Sequence, residues 1–146
     1  MLTVADLMTP EVFTLRETDT LKTARSMMSL ARIRHIPIVG KNMEFYGLLT
    51  HRDILTATLS QFASVDKKTR DEIDAGIPIM EVMRKDVTKV PPTMGLRDAA
   101  DILLNHKYGC LPVVQDDKLI GIITEADFLK LTISLMEALE GDLDHL

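Results

Sequence analysis

Apolar residues in this chain change their spacing in a fixed order, and the order occurs twice. Leu21, Ala24, Met28 and Ala31 recur at helical spacing behind two candidate caps, Asp19 and Thr20. A short apolar run follows, His35-Ile36-Pro37-Ile38-Val39, and a polar turn leads into another over 45–49. That pattern predicts a hairpin of two buried strands. In the second half Leu96, Ala99 and Leu103 predict the matching helix, while Cys110-Leu111-Pro112-Val113-Val114 and 119–123 predict the matching strands. An extended stretch precedes each helix, Val12-Phe13-Thr14-Leu15 and Val87-Thr88-Lys89-Val90. Each copy therefore reads strand, helix, strand, strand, helix. The fold class is α/β (α+β): two β-α-β-β-α repeats packed with pseudo-two-fold symmetry. A proline inside the first paired strand argues that this strand lies at a sheet edge or begins at the proline.

The closing element repeats most closely. Gly47-Leu48-Leu49-Thr50-His51-Arg52-Asp53-Ile54-Leu55 returns as Gly121-Ile122-Ile123-Thr124-Glu125-Ala126-Asp127-Phe128-Leu129. Met8 and Met83, Leu21 and Leu96, and Pro37 and Pro112 differ by 75, whereas Thr50 and Thr124, like Asp53 and Asp127, differ by 74. The first copy has thus gained one residue, and Gly40-Lys41-Asn42-Met43-Glu44 against Gln115-Asp116-Asp117-Lys118 places the gain in the hairpin turn. The organisation expected is repeat 1 over 1–60, a connector over 61–76, repeat 2 over 77–133, and a helix end with an acidic tail over 134–146. The polar stretch 56–77 reads as an extension of the first closing helix plus a solvated linker without chemistry. The last helix is expected to end at Gly141 as its C-terminal cap.

Composition narrows the function. At 146 residues, two half-domains sharing one core are expected. The chain is 46% hydrophobic, with 4% aromatic residues and no Trp, so the core is aliphatic, and its nine Met residues read as gap-fillers. A net charge of −5 without a basic block argues against nucleic acid as a partner. No apolar run has the length of a membrane span, and a lone Cys110 forms no internal disulfide; both favour a soluble, cytoplasmic protein.

The duplicated T-x-x-D has two readings. In the structural one, Thr50 and Thr124 cap their helices, and Asp53 and Asp127 complement the helix dipole, for about 1 kcal/mol each. In the functional one, the helix N-terminus offers amides to an anion while the carboxylate accepts hydrogen bonds from a ribose diol. Catalytic equipment is missing. Cys110 and His35 share one repeat position, which points to lining or packing rather than a catalytic thiol. His35, His51, His106 and His145 show no metal-ligand spacing, and there is no glycine-rich phosphate loop. The chain is read as not an enzyme, with no catalytic residue, metal site or required cofactor.

Over almost its whole length, from about Met1 to Ile133, this order of Pro-apolar-Val strand, hairpin and Gly-apolar-apolar-Thr-x-x-Asp resembles tandem CBS (cystathionine β-synthase) domains, the Bateman module. The resemblance implies a regulatory sensor, here standalone, that binds an adenine nucleotide or adenosyl compound (AMP, ADP, ATP or S-adenosylmethionine) in the cleft between its repeats. Asp53 and Asp127 would accept ribose hydroxyls, with Thr50 and Thr124 near phosphate. Thr14 and Lys89 would occupy the early-strand position facing the ligand. Ile33, Arg34, His35 and Pro37 would line one base pocket, and Tyr108, Gly109, Cys110 and Pro112 the other; Tyr108 either stacks on adenine or packs in the core. The resemblance also implies a homodimer, for which Phe128, Leu131 and Leu135 offer an interface, and an effector protein that is not identifiable from sequence. The alternative is an interaction module whose T-x-x-D elements only cap helices. The copies differ in charge: His51-Arg52 opposes Glu125-Ala126, so the Asp53 half is expected to bind phosphorylated ligands more tightly, unless Arg84, Lys85 or Lys89 reaches across.

Overall fold

The computed structural model describes residues 1–62, 66–106 and 109–144. The elements run α1 (Val4–Leu7), β1 (Leu15–Arg16), α2 (Leu21–Ala31), β2 (His35–Val39), β3 (Phe45–Thr50) and α3 (His51–Phe62). They continue with α4 (Lys67–Gly76), α5 (Ile79–Val82), α6 (Leu96–Asn105), β4 (Cys110–Gln115), β5 (Lys118–Thr124) and α7 (Glu125–Asp144). The class is mixed α/β, with a sheet ordered β1-β2-β3 and a second of β4 and β5. The extended stretches expected ahead of each helix shrink to the two residues of β1 and to a single bridge, Val90 to Val113.

The chain forms two compact units, and neither is one contiguous repeat. One comprises 12–87 with 116–119; the other comprises 1–11, 88–115 and 120–146. The buried residues form one cluster in each unit. In the first, Leu21, Ala24 and Met28 of α2 pack with Ile36, Ile38, Leu49 and Ile54, and Ile79 and Met83 of the later segment join them. In the second, Leu96, Ala99 and Leu103 of α6 pack with Leu111, Val113 and Ile123, joined by Val4 from α1. The segment ahead of each repeat thus completes the core of the other.

Two pairs of backbone hydrogen bonds hold these exchanged segments. Leu48 N donates to Arg84 O at 2.9 Å and Arg84 N to Leu48 O at 2.8 Å. Thr9 N donates to Ile122 O at 2.8 Å and Ile122 N to Thr9 O at 3.0 Å. The neighbouring residue must be glycine for the approach to be possible. A Cβ on Gly47 would lie 2.6 Å from Arg84 O, and one on Gly121 2.9 Å from Thr9 O.

The prolines sit differently from expectation. β2 is the central strand of its sheet, and both β2 and β4 begin two residues before their proline. Val90 N donates to Pro112 O and Val114 N to Val90 O, so the ring nitrogen of Pro112 faces the same flank, ahead of its parallel neighbour. Around Pro37 the parallel pairing likewise starts only at Ile38. The missing donor therefore faces an uncovered flank even in a central strand. The hairpin turns account for the one-residue gain. Lys41, Asn42 and Met43, with Met43 at φ 66, close the first, whereas Asp116 and Asp117 form a two-residue turn with both φ positive.

Two further expectations are corrected. The charged connector is not merely solvated: Asp66 caps α4 by accepting from Thr69 N at 2.8 Å, and Asp74 is fully buried in an ion pair with Arg25 of α2. A buried carboxylate is costly without a counter-charge, so this pair fixes how α4 lies on α2. Gly141 lies inside α7 rather than capping it. Phe128 is half-buried against its own core, while Leu129, Ile133, Leu135, Met136 and Leu139 leave α7 with an exposed apolar surface.

Gly47→Ala and Gly121→Ala are each expected to destabilise the protein by roughly 1–3 kcal/mol, as overpacking does. Gly141→Ala, with nothing within 4 Å of the added methyl, is expected to stabilise it by up to about 1 kcal/mol. Urea denaturation of the three variants checks both signs.

Candidate functional site

Each T-x-x-D turn joins the last strand of a hairpin to a helix, and both start their helix in the same way. His51 N donates to Arg34 O at 2.9 Å, and Glu125 N to Gly109 O at 3.2 Å, which anchors the first helical residue to the strand entering the hairpin. Gly109 does this at φ +68, a conformation suited to glycine. Thr50 Oγ1 accepts from Asp53 N at 3.1 Å, and Thr124 Oγ1 accepts from Asp127 N at 3.4 Å. Both threonines are therefore N-caps.

The carboxylates part company there. Asp127 completes a reciprocal capping box: its Oδ2 accepts from Thr124 N at 2.9 Å and from Thr124 Oγ1 at 3.3 Å. Its Oδ1 accepts from Thr9 Oγ1 at 3.4 Å. Asp53 instead turns to Arg84, whose Nε donates to Oδ2 at 2.9 Å and to Oδ1 at 3.1 Å while Nη2 donates to Oδ1 at 2.8 Å. Thr9 and Arg84 occupy equivalent repeat positions, 75 apart, and the exchanged backbone pairs bring each onto a motif Asp. From sequence Thr9 was not expected at the site, and Arg84 was expected only as a cation able to reach across to the other half. The offset that aligns Met8 with Met83 aligns them as well.

In the unit containing Asp53, a cavity of about 470 Å³ opens beside the turn, lined by Arg25, Met28, Ser29, Arg32, Ile33, Arg34 and His51. It gathers two expected residues, Ile33 and Arg34, with a basic wall from α2, and Arg32 reaches it by ending that helix in the left-handed conformation at φ 55. Arg25 is tied to Asp74, which leaves Arg32 and Arg34, both exposed, as the cationic face, with the exposed His51 beside them. Arg52 is exposed on the first turn of α3 but does not line this cavity. Thr14 is half-buried just ahead of β1, His35 is half-buried at the start of β2, and Pro37 is buried within it.

In the other unit Lys89 is exposed beside Val90, Gly109 is half-buried, and Cys110 and Pro112 are buried in β4. Tyr108 lies outside the described residues. Burial pushes the Cys110 thiol well above the ordinary thiol range, and the Asp127 charge pushes it further in the same direction. The thiol is therefore protonated at neutral pH, a state unsuited to nucleophilic attack. Among the described residues no group of three or more His, Cys, Asp or Glu is placed to hold a metal ion, and no helix is long and apolar enough to cross a membrane.

The family model for the CBS domain matches residues 4–60 and 79–134. The chain belongs to the CBS domain family. Among curated relatives of this family, the CBS domain-containing protein YhcV of Bacillus subtilis is 32% identical over 127 residues, 87% of this chain and 83% of that protein. Among solved structures, AcuB of Vibrio cholerae, described as an acetoin utilization protein, is 40% identical with a TM-score of 0.80, covering 97% of each chain. CBSX2, solved in complex with AMP, shares the fold at a TM-score of 0.77 and 24% identity, covering 93% of this chain and 99% of its own.

Cys110 is expected to react with a thiol reagent roughly 100-fold or more slowly in buffer than in denaturant, because labelling must await an opening that costs about 3 kcal/mol or more. Its raised pKa should keep the reaction slow from pH 7 to 9. Time courses with a chromogenic disulfide check this, and prompt labelling in buffer would reveal an exposed thiolate.

Proposed function

We propose that this CBS-domain chain is a regulatory module that binds an adenosyl compound, an adenine nucleotide or S-adenosylmethionine, at its T-x-x-D turns and catalyses no reaction of its own. The observation that carries this reading is a carboxylate held three residues after a capping threonine at the start of a helix, twice in one chain. A helix start offers amides and a favourable dipole to phosphate, and a carboxylate accepts from a ribose diol. The basic cavity beside Thr50 adds cationic side chains of the kind that phosphate needs on a chain of net charge −5. That the same fold holds AMP in CBSX2 supports the ligand class at the level of fold. In this reading Asp53 and Asp127 are ribose acceptors, with Thr14, His35, Pro37, Arg52, Lys89, Gly109, Cys110 and Pro112 as the surrounding shell. Occupancy would act on a partner protein through its different affinity for two states of the module.

The complete capping box at Thr124 and Asp127 favours the rival reading, in which these turns are structural and the module only binds other proteins. Thermal melting separates the two. With AMP, ATP or S-adenosylmethionine at about 100-fold its Kd, a ligand-binding module should gain roughly 5–10 °C. No shift with any of them would favour the structural reading.

The exposed apolar residues of α7 are the surface we propose for a homodimer. Sedimentation should give twice the 16.4 kDa chain mass, and Ile133→Glu should return it to the monomer. A wild-type monomer at micromolar concentration would reject that surface.

A further inference from the structure

The two motif carboxylates differ in what already occupies them. Asp53 has both oxygens taken by the guanidinium of Arg84 through three contacts of 2.8–3.1 Å. The pair is semi-buried, the Asp53 side chain being 14% exposed and that of Arg84 39%, so water competes for it only in part. Arg84 is also tethered by its own backbone, which pairs with Leu48 in both directions. A fork-on-fork pair of this kind takes the two syn acceptor positions of a carboxylate, one on each oxygen, that face a bidentate donor. A vicinal diol needs those same positions, because its two hydroxyls must both donate. Asp127 is in a different state. Its Oδ2 serves the capping box, but among the described residues its Oδ1 meets only the Thr9 hydroxyl, at 3.4 Å. A hydroxyl can rotate away at little cost, whereas a guanidinium must give up charge-assisted bonds.

We propose that Arg84 withholds Asp53 from ribose, so that Asp127 is the working diol acceptor and the Asp53 half becomes available only when the ion pair opens. This deepens the adenosyl-binding reading and rests on it. It also reverses the ranking that the charges of the motif interiors alone suggest, since the cation that matters at Asp53 sits on the carboxylate rather than beside a phosphate. The residue at position 9 or 84 thereby sets whether a half is open, with threonine open and arginine closed.

The two positions can be exchanged. In titration calorimetry with AMP, wild-type protein should bind at one site, weakened at least about tenfold by Asp127→Asn. Arg84→Thr should raise the stoichiometry from one to two, with Asp53→Asn in that background removing the added site. Thr9→Arg should weaken the wild-type site by at least about tenfold. Circular dichroism checks that each variant is folded, and Arg84→Gln replaces Arg84→Thr if the latter melts early. Wild-type binding that Arg84→Thr and Arg84→Gln leave unchanged, or that depends on Asp53 rather than Asp127, overturns the role of Arg84 while the adenosyl reading stands. No binding of AMP by wild type or any variant overturns both. Binding that appears only once Arg84 is replaced supports the closed pair and overturns Asp127 as the working acceptor.

Discussion

The structure depends on a close approach of two backbones, made twice. The segment ahead of each repeat runs against the last strand of the other repeat's hairpin, and a glycine lets the carbonyl come within reach of its partner. Three consequences follow from that contact. It delivers Val4 to one core and Ile79 with Met83 to the other, so each half is filled by residues from outside its own repeat. It satisfies the amides and carbonyls of the flanking segments, which would otherwise end in short unsupported helices. It also puts residue 9 or 84 onto the motif Asp. The glycine that opens the Gly-apolar-apolar-Thr motif thus has its cause in backbone packing rather than in a ligand.

The elements with strong periodicity were legible from sequence. Leu21, Ala24 and Met28 and their counterparts all turn out buried, as do Ile36, Ile38, Leu48 and Leu49 of the first hairpin and Leu111, Val113, Ile122 and Ile123 of the second, while Tyr46 stays exposed. The four-residue helices α1 and α5 are too short to show a period. Asp74 was hidden in a run of charges, where a hydropathy pattern cannot tell a buried ion-paired carboxylate from a solvated one. The threonine caps could be read because their spacing is local. The partners of the motif carboxylates could not, since Thr9 stands 118 residues from Asp127 and Arg84 31 residues from Asp53.

The duplicated motif also shows how little of a site's chemistry its own letters determine. Thr and Asp recur in both copies with the same hydrogen bond to the helix amide, yet one carboxylate is neutralised by a guanidinium and the other is part of a capping box. Charge counted along the chain places Arg52 as the cation of the first motif. Charge counted in space adds Arg32, Arg34 and Arg84, contributed by the end of α2, the approach to β2 and the exchanged segment. Symmetry of sequence therefore persists in the backbone and is lost in the electrostatics.

The exchange of leading segments has a consequence for synthesis. One unit needs nothing beyond residue 119, while the other joins residues 1–11 to 88–115 and 120–146. A chain emerging from the ribosome can therefore finish the first unit while the second still lacks its final strand and helix. Residues 1–11 are made well ahead of all their partners, first those around Pro92 and Met94 and then the strand at Ile122. Until then they are a waiting arm, and closing a loop of more than a hundred residues makes their docking a late, entropically costly event in the folding of this protein.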